Sequence, residues 1–298
     1  MYSLGLYTVN HKNPRDHEKI SRLTDGANVS VLLVAGEVLS VTQLNDVVYI
    51  VCRWCPAVLT FSLTTHRRLE DVFILGWPVD VAACESTSML YIAACDRRCV
   101  WRRSEDGEEV NVHCKLPAVL ANIFDLSAAD FFVPYSLSVT STGLLVMLRN
   151  TRQLIEYDAD GCEFIHVQLP DDMEPRYAVL SPTGTFLISL YHWSLKRWQV
   201  VEVDTGGEVL RQFSGSRQPS LCSLTPHVAV DSHGNIFVAD RDNGRILLLD
   251  DHLSLRRVII DEHQLNNEHP WRLCYVEESG QLLVGLDNNV AVFDVLCC

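Results

Sequence analysis

The segment from Pro226 to Asp250 reads PHVAVDSHGNIFVADRDNGRILLLD and decides the fold. Two short apolar runs, VAV and IFVA, flank the turn-forming letters SHGN, a pattern that predicts two antiparallel strands joined by a tight turn. Asn243 and Gly244 tolerate positive φ, so a second reversal and a third strand, ILLL, are predicted next. A fourth run, from Leu255 to Ile260, carries arginines as an exposed outer strand would.

Weaker copies of this four-stranded unit recur along the chain. A small sheet of this kind cannot bury both faces alone, so it must stack on copies of itself. The copies share a first turn followed by an apolar run, and they start at Asp46, Ser88, Gly143, Gly184 and Gly280. With Gly234 they make six units at a spacing of roughly 40 to 50 residues, the length of a propeller blade. The sequence therefore predicts an all-β, six-bladed β-propeller of four-stranded antiparallel blades.

The two ends of the chain predict how the ring closes. The last unit has three strands, from Leu273 to Asp294, and no fourth. Near the start, Val29 to Val34 looks like an outer strand with no inner strands before it. We therefore expect Val29 to Val34 to pair with Val290 to Asp294 and so remove the exposed sheet edges. Residues 29–298 would then form one propeller, with residues 1–28 as a tail or peripheral segment.

The stretch VAVDSHGNIFVADRDNGRILLLD resembles an NHL repeat, whose pattern pairs a DxxGNIYVAD-like run with NxRI and a closing aspartate. The other units, such as GTFLISL and GQLLVGL, keep the apolar pattern and lack the aspartate that ends the GNIYVAD-like run. The resemblance implies an NHL-type propeller, a fold that serves in protein binding, RNA binding and, in one branch, catalysis. NHL propellers of tripartite-motif ubiquitin ligases select substrates. This sequence contains no RING array, so a ligase module would have to come from elsewhere.

Composition limits the possible partners. The 298 residues carry a net charge of −14 and include 11 cysteines. Lysine and arginine carry most of the affinity for nucleic acid and acidic lipid, so we expect no DNA and no membrane partner. The opening MYSLGLYTVN lacks the basic start and sustained apolar run of a secretion signal. We therefore expect free thiols and a cytoplasmic location.

One face of the predicted ring is rich in arginine and tryptophan. In a propeller, the loops between second and third strands and the links between blades open on the same face, and these residue types anchor interfaces. We expect a protein or peptide to bind there. One alternative is that the arginines pair with aspartates on neighbouring blades and are neutralised by residues such as Asp96 and Asp240. Another is single-stranded RNA binding. The predicted binding-face residues are Arg53, Trp54, Arg97, Arg149, Arg152, Trp193, Arg197, Arg241, Arg245, Trp271 and Arg272.

His227 is the weak candidate for a metal ligand. The resemblance includes the peptidylhydroxyglycine amidating lyases, which place histidines at blade starts around a zinc ion, and Pro226-His227 is similar to that arrangement. The matching positions of other blades read as Tyr135, Tyr177 and Trp271, whereas a catalytic zinc needs three protein ligands. A metal-dependent lyase is thus kept as an alternative, and we expect a non-enzymatic protein without metal or cofactor.

Overall fold

The computed structural model describes residues 29–34, 36–104, 110–115, 134–140, 143–148, 151–214 and 226–295, which form six antiparallel sheets of four strands each. The predicted tail, residues 1–28, and Arg149 lie outside the described residues. The predicted fold class is confirmed. No helix in these ranges is long and apolar enough to cross a membrane.

Each blade is a meander from the centre of the ring outwards. Blade 1 contains β2 (Val38–Leu44), β3 (Val47–Cys52), β4 (Ala57–Ser62) and β5 (Val72–Phe73). Blade 2 contains β6 (Pro78–Cys84), β7 (Met89–Ala94), β8 (Cys99–Ser104) and β9 (Val110–Lys115), and blade 3 contains β10 (Pro134–Val139), β11 (Leu144–Leu148), β12 (Gln153–Tyr157) and β13 (Glu163–Gln168). Blade 4 contains β14 (Met173–Leu180), β15 (Phe186–His192), β16 (Arg197–Val203) and β17 (Val209–Ser214). Blade 5 contains β18 (Val228–Val230), β19 (Ile236–Asp240), β20 (Arg245–Leu249) and β21 (Leu255–Ile260), and blade 6 contains β22 (Arg272–Val276), β23 (Gln281–Gly285), β24 (Asn289–Asp294) and β1 (Val29–Leu33).

Aspartates close the outer hairpins of three blades. The Asp250 carboxylate accepts the backbone N–H groups of His252 at 3.0 Å and Ser254 at 2.8 Å. Asp158 and Asp204 bind the N–H groups two and four residues later in the same way. A short carboxylate acceptor at the start of a turn satisfies donors that no strand can reach. The closing aspartate of the repeat is therefore explained by local turn chemistry.

The apolar core is divided among the junctions between blades. Within the described residues, six clusters of buried side chains occur, and each joins two adjacent blades. Each innermost strand also contacts the innermost strands of both neighbouring blades, so these strands surround a central channel. Stacking of this kind buries the faces that one blade alone would expose.

The predicted closure of the ring is confirmed. Strand β1 pairs antiparallel with β24, from Val29 opposite Phe293 to Leu33 opposite Asn289. The Val34 N–H continues the ladder to the carbonyl of Asn288 at 3.2 Å. The N-terminal strand is thus the outer strand of the last blade, and it joins the two ends of the described chain.

Candidate functional site

Six polar side chains, one from each blade, lie at the same level of the central channel. Their equivalence follows from the strand register, because each sits opposite the same position of its blade's second strand: Val51, Ala93, Met147, Ser189, Ala239 and Gly285. We call this set the polar ring; its members are Ser40, Asp80, Ser136, Tyr177, His227 and Arg272.

The register differs from the one that the sequence suggested. In blades 1 to 4 the pairing of the innermost strand shifts just before the ring residue, so one extra residue is accommodated there. The shift places Ser136 rather than Tyr135 level with His227. In blade 6, the residue at this level is Arg272 and not Trp271. The alignment of His227 with Tyr135 and Trp271 is therefore wrong by one residue in each case.

Ser40 and Asp80 connect blades 1, 2 and 3. The hydroxyl of Ser40 lies 3.3 Å from the carbonyl oxygen of Val81. Asp80 is only 1% exposed, and its carboxylate accepts the N–H of Leu137 at 2.7 Å and that of Val81 at 3.0 Å. Burial raises the pKa of Asp80, while the positive charge of Arg272 and these hydrogen bonds oppose the shift. The oxygens of this carboxylate are thus largely engaged by the protein.

Tyr177, His227 and Arg272 connect blades 4, 5, 6 and 1. The rings of Tyr177 and His227 lie 3.7 Å apart, and the Leu273 N–H donates to His227 Nδ1 at 3.2 Å. Arg272 Nε donates to the carbonyl of Leu39. Burial, together with the Arg272 charge, lowers the pKa of His227 well below its ordinary value. The imidazole is therefore neutral, and because Nδ1 accepts a hydrogen bond, the proton is carried by Nε2.

A small cavity of about 170 Å³ lies in the channel and is lined by Asp80, Ser138, Tyr177 and His227 among others. Ser138 is 6% exposed, and its hydroxyl has no hydrogen-bond partner among the described residues. Nor does any described residue bind the Tyr177 hydroxyl or His227 Nε2. Burial raises the pKa of Tyr177, so its hydroxyl keeps its proton. We call this space the inner cavity, and its walls present several unused donors.

A wider pocket of about 500 Å³ opens where the channel meets the loop face. Its walls include Arg53, Trp54, Trp77, Tyr135 and Arg272. Trp54 is 81% exposed and Trp77 is 46% exposed, although both are large apolar side chains. We call this space the mouth pocket. It combines aromatic surface with a guanidinium group, and it lies over strands that also line the inner cavity.

Among the predicted binding-face arginines that the structure describes, four form ion pairs. In each case the partner is a carboxylate on a nearby loop or strand, so much of the positive charge is locally neutralised. The sequence left open that arginines pair with aspartates on neighbouring blades. In these four pairs the carboxylate instead lies on the same blade as the arginine or on a link that adjoins that blade. The pairs are Arg53–Glu37 at 2.6 Å, Arg97–Asp96 at 3.6 Å, Arg152–Asp171 at 2.6 Å and Arg245–Asp240 at 2.8 Å.

Arg241 and Trp271 form a separate contact between blades 5 and 6. The Arg241 guanidinium lies 3.6 Å from the centre of the Trp271 ring, whose indole N–H donates to Asp287 at 2.7 Å. Burial lowers the pKa of Arg241, although the Asp287 charge opposes the shift. Stacking and hydrogen bonding hold Trp271 in place. These side chains are therefore engaged within the protein, and they are not part of the mouth pocket walls.

Trp193 and Arg197 lie on blade 4. Trp193 is exposed and packs edge-on against Tyr191, with ring centres 5.0 Å apart. The Arg197 Nε atom is buried and has no hydrogen-bond partner among the described residues. Of the predicted binding-face residues that the structure describes, three share the mouth pocket, namely Arg53, Trp54 and Arg272. The others do not line it: Arg97, Arg152, Trp193, Arg197, Arg241, Arg245 and Trp271.

His227 does not belong to a group of metal-binding side chains in the described residues. Across the described parts of the chain, no three His, Cys, Asp or Glu side chains are close enough together to hold a metal ion. His227 Nδ1 is already engaged by the Leu273 N–H. The weak zinc hypothesis for His227 therefore gains no geometric support.

No protein-family model and no curated protein matches the sequence. Solved structures do match its fold. Streptogramin B lyase matches with a TM-score of 0.60 and 10% identity, over 89% of this chain and 96% of that one. A catalytically inactive virginiamycin B lyase from Staphylococcus aureus with quinupristin gives 0.60 and 11%, over 90% and 99%.

YCF48 bound to D1 peptide matches with a TM-score of 0.56 and 11% identity, over 87% of this chain and 79% of that one. At such low identities the likeness concerns the fold alone. NHL-repeat family membership is therefore not shown, and the comparisons establish a β-propeller whose structural neighbours include both lyases and a peptide-bound protein.

Proposed function

We propose that the protein is a non-enzymatic propeller that binds a protein or peptide at the mouth of its central channel. The observation that carries the proposal is the mouth pocket, where Trp54 and Trp77 remain exposed beside a 500 Å³ space. Interface hot spots are enriched in tryptophan and arginine that fill or line such pockets. The pocket is large enough for one or two side chains of a peptide.

Local charge favours a peptide over RNA. The arginines that would contact phosphates are largely paired: Arg53 binds Glu37, and Arg97 binds Asp96. The chain as a whole has a net charge of −14, which repels a polyanion. YCF48, whose structure contains a D1 peptide, is an example of a similar fold with a peptide partner.

Two finer proposals rest on the sequence. The NHL-like repeat in blade 5 supports substrate recognition for a ubiquitin ligase of the tripartite-motif type, with the ligase module supplied elsewhere. The seven cysteines with described side chains are all free thiols, which supports a cytoplasmic location. A metal-dependent lyase is the alternative function, and metal analysis of the purified protein together with an amidating-lyase assay tests it.

Selection from a displayed random peptide library tests the proposal. We expect selected peptides to lose about 30-fold in affinity, or ~2 kcal/mol, with Trp54→Ala or Trp77→Ala, measured by fluorescence anisotropy. Both side chains are exposed, so these substitutions should leave the melting temperature nearly unchanged.

Arg256→Ala and Arg257→Ala provide the matched control, because they lie on β21 at the outer edge of blade 5. A parallel selection with random single-stranded RNA examines the other partner class. The proposal fails if no peptide is enriched, or if selected peptides bind both tryptophan variants as tightly as the parent. Enrichment of RNA alone would replace it with the RNA hypothesis.

A further inference from the structure

We infer that the channel contains a carboxylate-binding site where the mouth pocket meets the inner cavity, centred on Arg272 and Tyr177. The carboxylate would bind between these side chains, and the apolar part of the ligand would lie against Trp54 and Trp77. The inference deepens the proposed function, since an acidic side chain of the bound peptide is one source of the carboxylate.

The first support is an excess of hydrogen-bond donors. The hydroxyls of Ser138 and Tyr177 and the Nε2–H of His227 have no acceptor among the described residues. All three side chains line the inner cavity. Donors without a protein acceptor can bind an acceptor that a ligand brings, so the site suits a group that only accepts hydrogen bonds. An ionised carboxylate is such a group.

The second support is the state of Arg272. In the described part of the chain, its Nε atom donates to the Leu39 carbonyl, and no carboxylate lies within ion-pair distance of its guanidinium. Arg53, on the same pocket wall, is paired with Glu37. The terminal N–H groups of Arg272 are therefore free to form the bidentate contact that guanidinium makes with carboxylates.

The carboxylate of Asp80 does not already make this bidentate contact with Arg272. Asp80 uses its oxygens on the N–H groups of Leu137 and Val81, and burial raises its pKa. The titratable groups that line the inner cavity are Asp80, Tyr177, His227, Cys274 and Tyr275. Burial keeps Tyr177, His227 and Cys274 uncharged near neutral pH, so Arg272 and Asp80 decide the local charge.

The local charge, set by Arg272 and Asp80, also favours a carboxylate over a phosphate. One arginine can neutralise one negative charge, whereas a phosphate monoester carries close to two at neutral pH. A second negative charge on the ligand would lie near Asp80 without a positive partner, which is unfavourable.

Binding of benzoate, with benzamide as its neutral isostere, tests the site directly. We expect benzoate to bind the full chain with saturation-transfer signals and a measurable Kd, and benzamide to bind at least about 10-fold more weakly. Arg272→Gln and Tyr177→Phe should each weaken benzoate about 10-fold or more. Tyr177→Phe removes a hydroxyl with no protein partner among the described residues, so it should fold like the parent even if Arg272→Gln does not. Arg256→Gln, on the outer strand β21, is the control and should change nothing.

The source of the carboxylate is distinguished with peptides. If the bound group is an acidic side chain, peptides selected by the protein should contain Asp or Glu, and replacing that residue by Asn or Gln should weaken them as Tyr177→Phe does. Benzoate binding without any peptide binding would support the site with a free organic acid as ligand, and would count against the proposed function alone. Equal binding of benzoate and benzamide, no binding of benzoate, or full benzoate affinity in a folded Tyr177→Phe variant would overturn the carboxylate site whatever the peptides do.

Discussion

Closure of the ring by the N-terminal strand can be tested with a single side chain, Leu32. This residue is 1% exposed and packs in the cluster between blades 6 and 1, with Val38, Leu283 and Val290. Leu32→Ala removes three carbons, or about 2.4 kcal/mol at ~0.8 kcal/mol per buried methylene. The space left at a blade junction adds a cavity penalty, so we expect a total loss of about 3–5 kcal/mol.

Leu33→Ala is the matched control, because Leu33 lies on the same strand with its side chain on the opposite face and is 45% exposed. It should cost about 1 kcal/mol or less. Urea unfolding followed by circular dichroism measures both losses through the midpoint and slope of the transition. If the ring is one cooperative unit, Leu32→Ala should lower the midpoint and keep a single transition.

If Leu32→Ala costs no more than Leu33→Ala, then β1 is not part of the cooperative unit, and closure of the ring does not depend on it. A separate early transition in Leu32→Ala would instead show that blade 6 unfolds independently of the other blades.

Three further predictions follow from the buried polar groups and the thiols. Arg245→Ala should cost about 3 kcal/mol of stability without affecting ligand binding, because it leaves the buried Asp240 carboxylate with Asn243 as its remaining side-chain partner. Loss of peptide affinity at unchanged stability would contradict this prediction. Because the pKa of His227 is lowered in the folded state, the unfolded chain binds a proton at this imidazole first as the pH falls. Stability should therefore decrease as the pH drops below about 6.5. In urea unfolding measured at a series of pH values, His227→Gln should make this decrease smaller. Alkylation of the unreduced, unfolded protein should modify Cys52, Cys55 and the other free cysteines, whereas intact disulfides detected by mass spectrometry would count against a reducing compartment.

The fold was predictable because its signals are local and repeated. Strand alternation and turn residues recur in every unit, so errors in one unit are corrected by the others. The closure by Val29 to Val34 was predictable for a different reason: the last unit lacked an outer strand, and an unpaired edge must be covered. Both predictions concern backbone pairing, which the period of apolar residues largely determines.

The polar ring could not be predicted, because it depends on a one-residue shift. The irregular pairing before Ser136 moves Tyr135 out of register, and the letters PYSLSV give no sign of it. The ion pairs could not be predicted from the sequence either. The partner of Arg152 is Asp171, which lies 19 residues away on the loop after the outer strand of the same blade. Loop arginines close to several aspartates have many possible partners, and only the folded geometry selects one.

The polar ring also shows why binding and stability can be separated in this channel. Ser40, Asp80, Tyr177, His227 and Arg272 each contact the next blade, so each of them contributes to holding the blades together. Between blades 3 and 4 the Ser136 hydroxyl is buried without a partner among the described residues, and Arg176 and Tyr135 make the junction's hydrogen bond one residue earlier, at 3.5 Å. The contacts that join blades use backbone carbonyls and N–H groups or one face of an aromatic ring, and they leave the Tyr177 hydroxyl, the His227 Nε2–H and the terminal N–H groups of Arg272 unused. One set of atoms therefore holds the ring, and a second set on Tyr177, His227 and Arg272 is left for the inner cavity or the mouth pocket. Removing only an atom of the second set, as Tyr177→Phe does, should affect ligands and not the fold.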